Sequence, residues 1–272
     1  MVVADILQQI VAYKYEFIAA SKRKRSASDL KARLADMPLP ADFAAALKRP
    51  ADGELRVIAE VKKASPSKGV IRENFDPLAI AEDYAEHGAA AVSVLTDEQY
   101  FQGHLDYLRQ IHTALPALPL LRKDFVVDEY QIYEAREAGA SAILLICSIL
   151  DGAQLKGFRE IANGLGMDAL TEVHEESEAE IAVDSGAKIL GVNNRDLRTF
   201  AVDLNQTERV MRSLGSARSA LTFVSESGIS TPADVAAVRR IGADAILVGE
   251  SFMRCESPGE ALSALMAIHD DK

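Results

Sequence analysis

The sequence predicts an α/β fold: a single (β/α)8 barrel preceded by an N-terminal helical extension. Three observations carry this. First, one unit recurs: a helix-like segment closes on Gly-Ala and an apolar run follows at once. It is seen at Gly88-Ala89, Gly139-Ala140, Gly186-Ala187 and Gly242-Ala243, ahead of AVSVLT, SAILLIC, KILGVNN and DAILVGE. Glycine just past a helix end supplies the left-handed residue of a C-cap, and a short apolar run bounded by turns reads as a buried strand. Second, eight such runs can be counted, alternating with amphipathic helices as parallel βαβ units do. Third, several runs end on a charged residue. A strand buried on both faces should be apolar throughout, whereas barrel enzymes gather their chemistry at the C-terminal strand ends.

Taken in order, residues 1–50 form the extension and 51–272 the barrel. The extension reads as helices, with Ser28-Asp29 as N-cap for the segment Leu30 to Ala35. Pro38, Pro40 and Pro50 punctuate the approach to the barrel. The pattern leaves open whether this extension caps the barrel bottom or flanks its mouth. Strands are expected at about 57–62, 91–96, 118–123, 142–147, 168–173, 189–194, 222–227 and 245–250. Helices are expected between them, including 77–86, 129–137 and 232–240. The 272 residues suit one barrel of about 250 plus a short extension. A doubly wound open sheet is the alternative, but the first strand is followed by Lys63-Ala64-Ser65-Pro66-Ser67, not by a glycine-rich dinucleotide fingerprint.

Composition narrows the function. The net charge of −11 argues against nucleic acid as a partner. The basic run from Lys22 to Arg25 reads as a solvated helix end. No apolar run approaches the ~20 residues of a membrane span, and the N-terminus lacks the pattern of a secretory signal. Cys147 and Cys255 lie far apart without metal-ligand spacing. A reduced, cytoplasmic setting is expected, with no metal, no cofactor and a monomeric chain.

The strand ends VIAEVK, LPLLRK, DALTEV, ILGVNN and TFVSES bring Glu60, Lys62, Lys123, Glu172, Asn193 and Glu226 to one mouth. Burial among apolar walls should lower a lysine pKa, fitting Lys62 and Lys123 for acid–base or covalent work. Structural ion pairs with Glu60, Asp124 or Glu172 are the alternative. For Glu172 burial and neighbouring lysines pull in opposite directions; a pKa raised toward neutrality would make it a good base. Asn193 can hold a carbonyl, hydroxyl or carboxylate, and Arg195 offers a planar fork for a substrate carboxylate. Its alternative is an ion pair with Asp196 or Asp203. The turns Ser227-Gly228 and Gly249-Glu250 follow the last two strands, where many barrels bind phosphate. A small phosphorylated substrate is therefore expected.

These residues carry a family resemblance. The stretch Ile58-Ala59-Glu60-Val61-Lys62 through Ser65-Pro66-Ser67 resembles the first-strand signature of the indole-3-glycerol phosphate synthases. Tyr100 to Gly103, Leu121 to Phe125, Thr171 to Val173, Gly191 to Leu197, Ser225 to Ile229 and Val248 to Met253 continue it in order. The resemblance implies a tryptophan-biosynthesis lyase. It would close the indole ring of 1-(2-carboxyphenylamino)-1-deoxyribulose 5-phosphate, releasing carbon dioxide and water. It implies Lys123 as general acid and Glu172 as general base. Lys62 would bind the substrate carboxylate, and Glu60 and Asn193 would organise the site. Ser65 and Arg195 would lie near the carboxylate and hydroxyls. Phe101, Phe125 and Leu197 would wall the aromatic ring, with Glu226 also on the substrate. Ser227, Gly228, Gly249 and Glu250 would hold the phosphate, Glu250 through its backbone N–H. Ala64 is a departure, since some relatives carry another lysine there. A Schiff-base aldolase on the same barrel is the competing enzyme reading, and a non-catalytic phosphate-binding barrel is a third.

Overall fold

The computed structural model describes residues 3–50, 53–196 and 201–267. Eight parallel strands close a barrel: β1 (Arg56–Val61), β2 (Ala91–Leu95), β3 (Leu120–Lys123), β4 (Ala142–Ile146), β5 (Asp168–Val173), β6 (Ile189–Asn193), β7 (Thr222–Glu226) and β8 (Ala245–Val248). Each pairs with the next, and β8 closes on β1 with Arg56 opposite Ala245 and Ala59 opposite Val248. Every expected strand is present, with ends displaced by at most about two residues. The helices Pro77–Glu86, Glu129–Glu137 and Pro232–Ile241 fall where the periodicity puts them.

The Gly-Ala repeat has the anticipated cause. Gly88, Gly139, Gly186 and Gly242 sit at φ of 86°, 95°, 88° and 90°. Side chains with a Cβ avoid this left-handed region, so glycine ends each helix and turns the chain into the next strand.

Two apolar layers surround the sheet. Residues facing outward, among them Val57, Val92, Ile143, Leu190 and Ile246, pack under the helices with Tyr84, Leu108, Ile132, Val210 and Val238. Residues facing inward, Ile58, Leu121, Leu144, Leu170, Ile189, Val224 and Leu247, fill the barrel. The interior is thus packed rather than hollow up to the mouth.

The extension comprises α1 (Val3–Lys24), α2 (Ala27–Leu34) and α3 (Phe43–Ala46). It serves both ends of the barrel. Phe43 and Leu47 are fully buried among the inward-facing residues, and the Ala44 N–H donates to Asp168 at the start of β5 (2.9 Å), so α3 plugs the bottom. Lys14 of α1 reaches the opposite end, onto Asp97 just past β2 and Asp124 just past β3. The expected N-cap is corrected: Ser26, not Ser28-Asp29, caps α2, in a capping box with Asp29. Ser26 wins because the Asp29 carboxylate then accepts from the Ser26 backbone N–H while Ser26 Oγ accepts from Asp29. The basic run closes α1, where Lys22 and Arg25 meet Asp128 and Glu137, both at 2.7 Å.

Candidate active site

The strand ends and the loops after them enclose a cavity of about 590 Å³. Glu60, Lys62, Lys123, Glu172, Asn193, Glu226, Ser65, Phe101, Phe125, Arg195, Ser227, Gly228, Gly249 and Glu250 all line it. Leu197 lies outside the described residues. Register explains the convergence. Inward-facing positions alternate along each strand, and Glu172 stands opposite Gly191 on β6 while Asn193 stands opposite Glu226 on β7.

Lys123 is the centre of the floor. Its ammonium lies 3.0 Å from Glu172 Oε2 and 3.0 Å from Glu226 Oε2. Asn193 Nδ2 donates to Glu172 Oε1 (3.3 Å), and the Arg195 backbone N–H donates to Asn193 Oδ1 (3.1 Å). Lys62 donates to Glu60 Oε1 at 2.5 Å. The lysines therefore do form ion pairs with Glu60 and Glu172, but these pairs face the cavity rather than the packed wall. Asp124 is not among them: it is held by Lys14 (2.7 Å), by Arg122 (3.1 Å) and by Thr96 (2.7 Å).

The charge states follow from this packing, and one expectation is overturned. Burial works against the Lys123 ammonium, but Glu226 and Glu172, then Glu60, outweigh it and hold its pKa above the ordinary lysine value. The expected depression needed apolar walls; three carboxylates stand there instead. Burial likewise opposes ionised Glu172, yet Lys123 and then His174 pull its pKa below the usual glutamate value. Glu226 carries the residual strain: burial, with repulsion from Glu172 and Glu60, overcomes Lys123 and pushes it up to about 7. Three carboxylates facing two ammoniums leave one negative charge over, and the deepest acid is the last of them to give up its proton. Asp124 is the opposite case: burial would raise it, but Lys14 and Arg122 hold it at about 2.

Two glycines make room for the acids. A Cβ on Gly191 would overlap Glu226 Oε1, and one on Gly249 would overlap Glu60 Oε1. Ser227 adopts φ 67° ahead of Gly228 at φ 80°, two successive left-handed residues just past β7. A serine there is strained, and such strain clusters at ligand-binding turns. Glu250 opens the short helix Glu250–Met253, its carboxylate held by Arg254 at 2.9 Å. The Phe101 and Phe125 rings stand 6.0 Å apart, tilted by 40°, on the other side of the cavity. Ala64 is buried under the hairpin Ala64–Ser65 and Gly69–Val70, whose tip carries Ser65 and Lys68 to the mouth. Among the described residues, no group of His, Cys, Asp and Glu could hold a metal ion, and no helix is long and apolar enough to cross a membrane.

Sequence reasoning missed Lys14, Lys68, His174 and Gly191. Gly191 carried a signal, since a glycine inside an apolar strand marks a close approach. Lys14 carried none, because its two aspartates lie on distant loops.

The family model described as indole-3-glycerol phosphate synthase matches residues 7–265. Proteins of that name from Chromobacterium violaceum and Paracidovorax citrulli are 51% and 50% identical to this chain. They cover 96% and 97% of this chain and 98% and 100% of their own. Among solved structures, KGPDC from Streptococcus mutans aligns at a TM-score of 0.60 with 11% identity, over 78% of this chain and 95% of that one. The 3-hexulose-6-phosphate synthase from Salmonella typhimurium aligns at 0.58 with 11% identity, over 78% and 98%. At that identity the likeness speaks for the barrel alone. From the match along nearly its whole length, the chain belongs to the indole-3-glycerol phosphate synthase family, carboxy-lyases of tryptophan biosynthesis.

Proposed function

We propose that this chain converts 1-(2-carboxyphenylamino)-1-deoxyribulose 5-phosphate to indole-3-glycerol phosphate, with Lys123 as general acid and Glu172 as general base. The observation that carries the reading is the Lys123 ammonium gripped by Glu172 and Glu226 at 3.0 Å each, on the floor of a cavity walled by Phe101 and Phe125. The resting charge states suit the roles. Lys123 is held protonated and Glu172 is held ionised, so the acid has a proton to give and the base can take one.

In ring closure the aromatic carbon bearing the carboxylate attacks the ketone, and the oxygen gains negative charge. Lys123 delivers a proton to that oxygen. Carbon dioxide then leaves, and its bonding electrons return to the ring. In dehydration Glu172 takes a proton from carbon, and the hydroxyl departs as water with a proton from Lys62. Glu60 holds Lys62 in place, and Asn193 does the same for Glu172. Arg195 and Ser65 are set toward the carboxylate and hydroxyls. Ser227, Gly228, Gly249 and the Glu250 backbone N–H form the phosphate end, on a turn whose N–H groups suit an anion.

The test is indole fluorescence on mixing protein with the carboxyphenylamino-deoxyribulose phosphate. Acid–base groups of this kind contribute about 10²–10⁴-fold each. Lys123→Ala should lose at least that in kcat while staying folded and still binding phosphate. Glu172→Gln should lose kcat with KM nearly unchanged. Full turnover in either variant removes that residue from its role. No indole signal from a wild-type protein that binds the substrate overturns the reaction itself.

A further inference from the structure

Behind Glu172, away from the cavity, the strand end continues into His174. Its Nε2 lies 3.4 Å from Glu172 Oε1 and its Nδ1 lies 3.5 Å from Glu178 Oε2. Both ring nitrogens are buried and neither makes a regular hydrogen bond, so the two glutamates are ion-pair contacts. Glu178 is anchored in turn: it sits in the first turn of the helix Glu176–Asp184, and its Oε2 accepts from the His174 backbone N–H at 2.5 Å. The preceding residue, Glu175, gives that helix no side-chain cap, so Glu178 fixes the helix start and the imidazole together.

We propose that His174 is a positioning residue for Glu172, clamping it from behind through a carboxylate–imidazole–carboxylate chain that ends on Glu178. The inference rests on Glu172 being the base. Glu172 then has each oxygen held: Oε2 by Lys123, and Oε1 by Asn193 and His174. A carboxylate that must meet one substrate hydrogen gains from such pre-set orientation.

The groups facing the ring all favour its charged form except the lysine beyond Glu172. They are Glu172 on its own strand, Glu178 on the adjacent helix, Glu226 on β7, and Lys123 on the far side of Glu172. Burial lowers the His174 pKa, but Glu178 and Glu172 outweigh it and hold it above the ordinary histidine value. The charged ring in turn lowers the Glu172 pKa. Removing it should therefore raise the pH at which Glu172 becomes ionised.

The experiment is kcat and KM against pH for wild type, His174→Gln and Glu178→Gln, with Glu172→Gln as reference. The expected result for His174→Gln is an acid limb of kcat moved up by roughly one pH unit. On that limb kcat should fall about tenfold at fixed pH, with KM changed less than about twofold. Glu178→Gln should move the limb the same way by less. A residue that merely fills space would leave the limb where it is, so His174→Gln and wild-type profiles that overlay overturn the clamp. If Glu172→Gln is inactive in the same series, that overlay sinks the clamp alone. If Glu172→Gln turns over normally, the base reading has failed and the clamp falls with it. Should His174→Gln not fold, Glu178→Gln decides, because its amide oxygen still accepts from the His174 N–H.

Discussion

Replacing Glu226 by glutamine should make the protein more stable at alkaline pH and less active. Glu226 is almost wholly buried and its pKa is about 7, against 4.5 for a free glutamate. A separation of about 2.5 at about 1.4 kcal/mol each corresponds to about 3 kcal/mol. The sign follows from proton binding. The folded state holds this proton more tightly than the unfolded chain, so stability is greatest below the unfolded value. It falls as pH rises from 4.5 through 7, and is flat above about 8. Glutamine has no proton to lose and can still accept from Lys123 through its amide oxygen. The variant and wild type should therefore match near pH 4 and below. At pH 8 the variant should be more stable by up to about 3 kcal/mol, which for 272 residues is about 5 °C in Tm. The chain has no tryptophan, so urea unfolding followed by far-UV circular dichroism is the suitable assay. Wild-type and variant stabilities that run parallel between pH 5 and 8 would refute the reasoning. That result would mean Glu226 is ionised without cost and Lys123 fully compensates it. Greater stability with lower turnover is the expected signature of a site that keeps an uncomfortable charge for function.

Other changes test the surrounding packing. Lys14→Met leaves Asp97 and Asp124 buried without their ammonium, and should cost about 3–5 kcal/mol in urea unfolding; adding Asp97→Asn should recover part of it. Gly191→Ala drives a methyl into Glu226, and should lower kcat sharply in a protein whose circular dichroism is native. Gly157→Ala, in the helix Gly152–Gly164 with open space around it, should instead stabilise by about 0.5–1 kcal/mol with unchanged turnover.

The fold was legible because its signals are local. Each strand is a short apolar run, four helix ends carry a Gly-Ala cap, and the acids and lysines of the mouth are polar residues where apolar ones were due. Where reading failed, the cause was competition or distance. Ser26 and Ser28 are both competent caps for α2, and only the Ser26 to Asp29 spacing of a capping box separates them. Lys14 looks like one more polar residue on an amphipathic helix until the barrel closes and brings Asp97 and Asp124 onto it. The direction of the Lys123 pKa was misjudged because burial is visible in an apolar run, while the three carboxylates arrive from β1, β5 and β7.

Depth within the mouth then orders the charges. Glu226, Glu60 and Glu172 are the most enclosed, Lys123 and Lys62 keep about a sixth of their side chains exposed, and Lys68 is open to solvent. An anion approaching this acidic protein therefore meets a local basic rim before it meets the acids. Net charge of −11 sets the long-range field, but a cleft's own side chains dominate within about 8–10 Å at physiological salt. The same gradient repels a phosphate from the floor, where Glu60, Glu172 and Glu226 sit. On the proposed reading the phosphate end of the substrate is thus turned outward, toward Ser227, Gly228 and Gly249, while the ring carboxylate at its other end meets Lys62. The uncharged ketone between those two ends then faces Lys123. Swapping the polarity of one layer should reverse that order. Lys68→Glu at the rim should raise KM for a phosphate ester with little change in kcat, with an effect that fades as salt rises. A kcat effect of equal size would mean that Lys68 touches the reacting end, and that the layers are not separate.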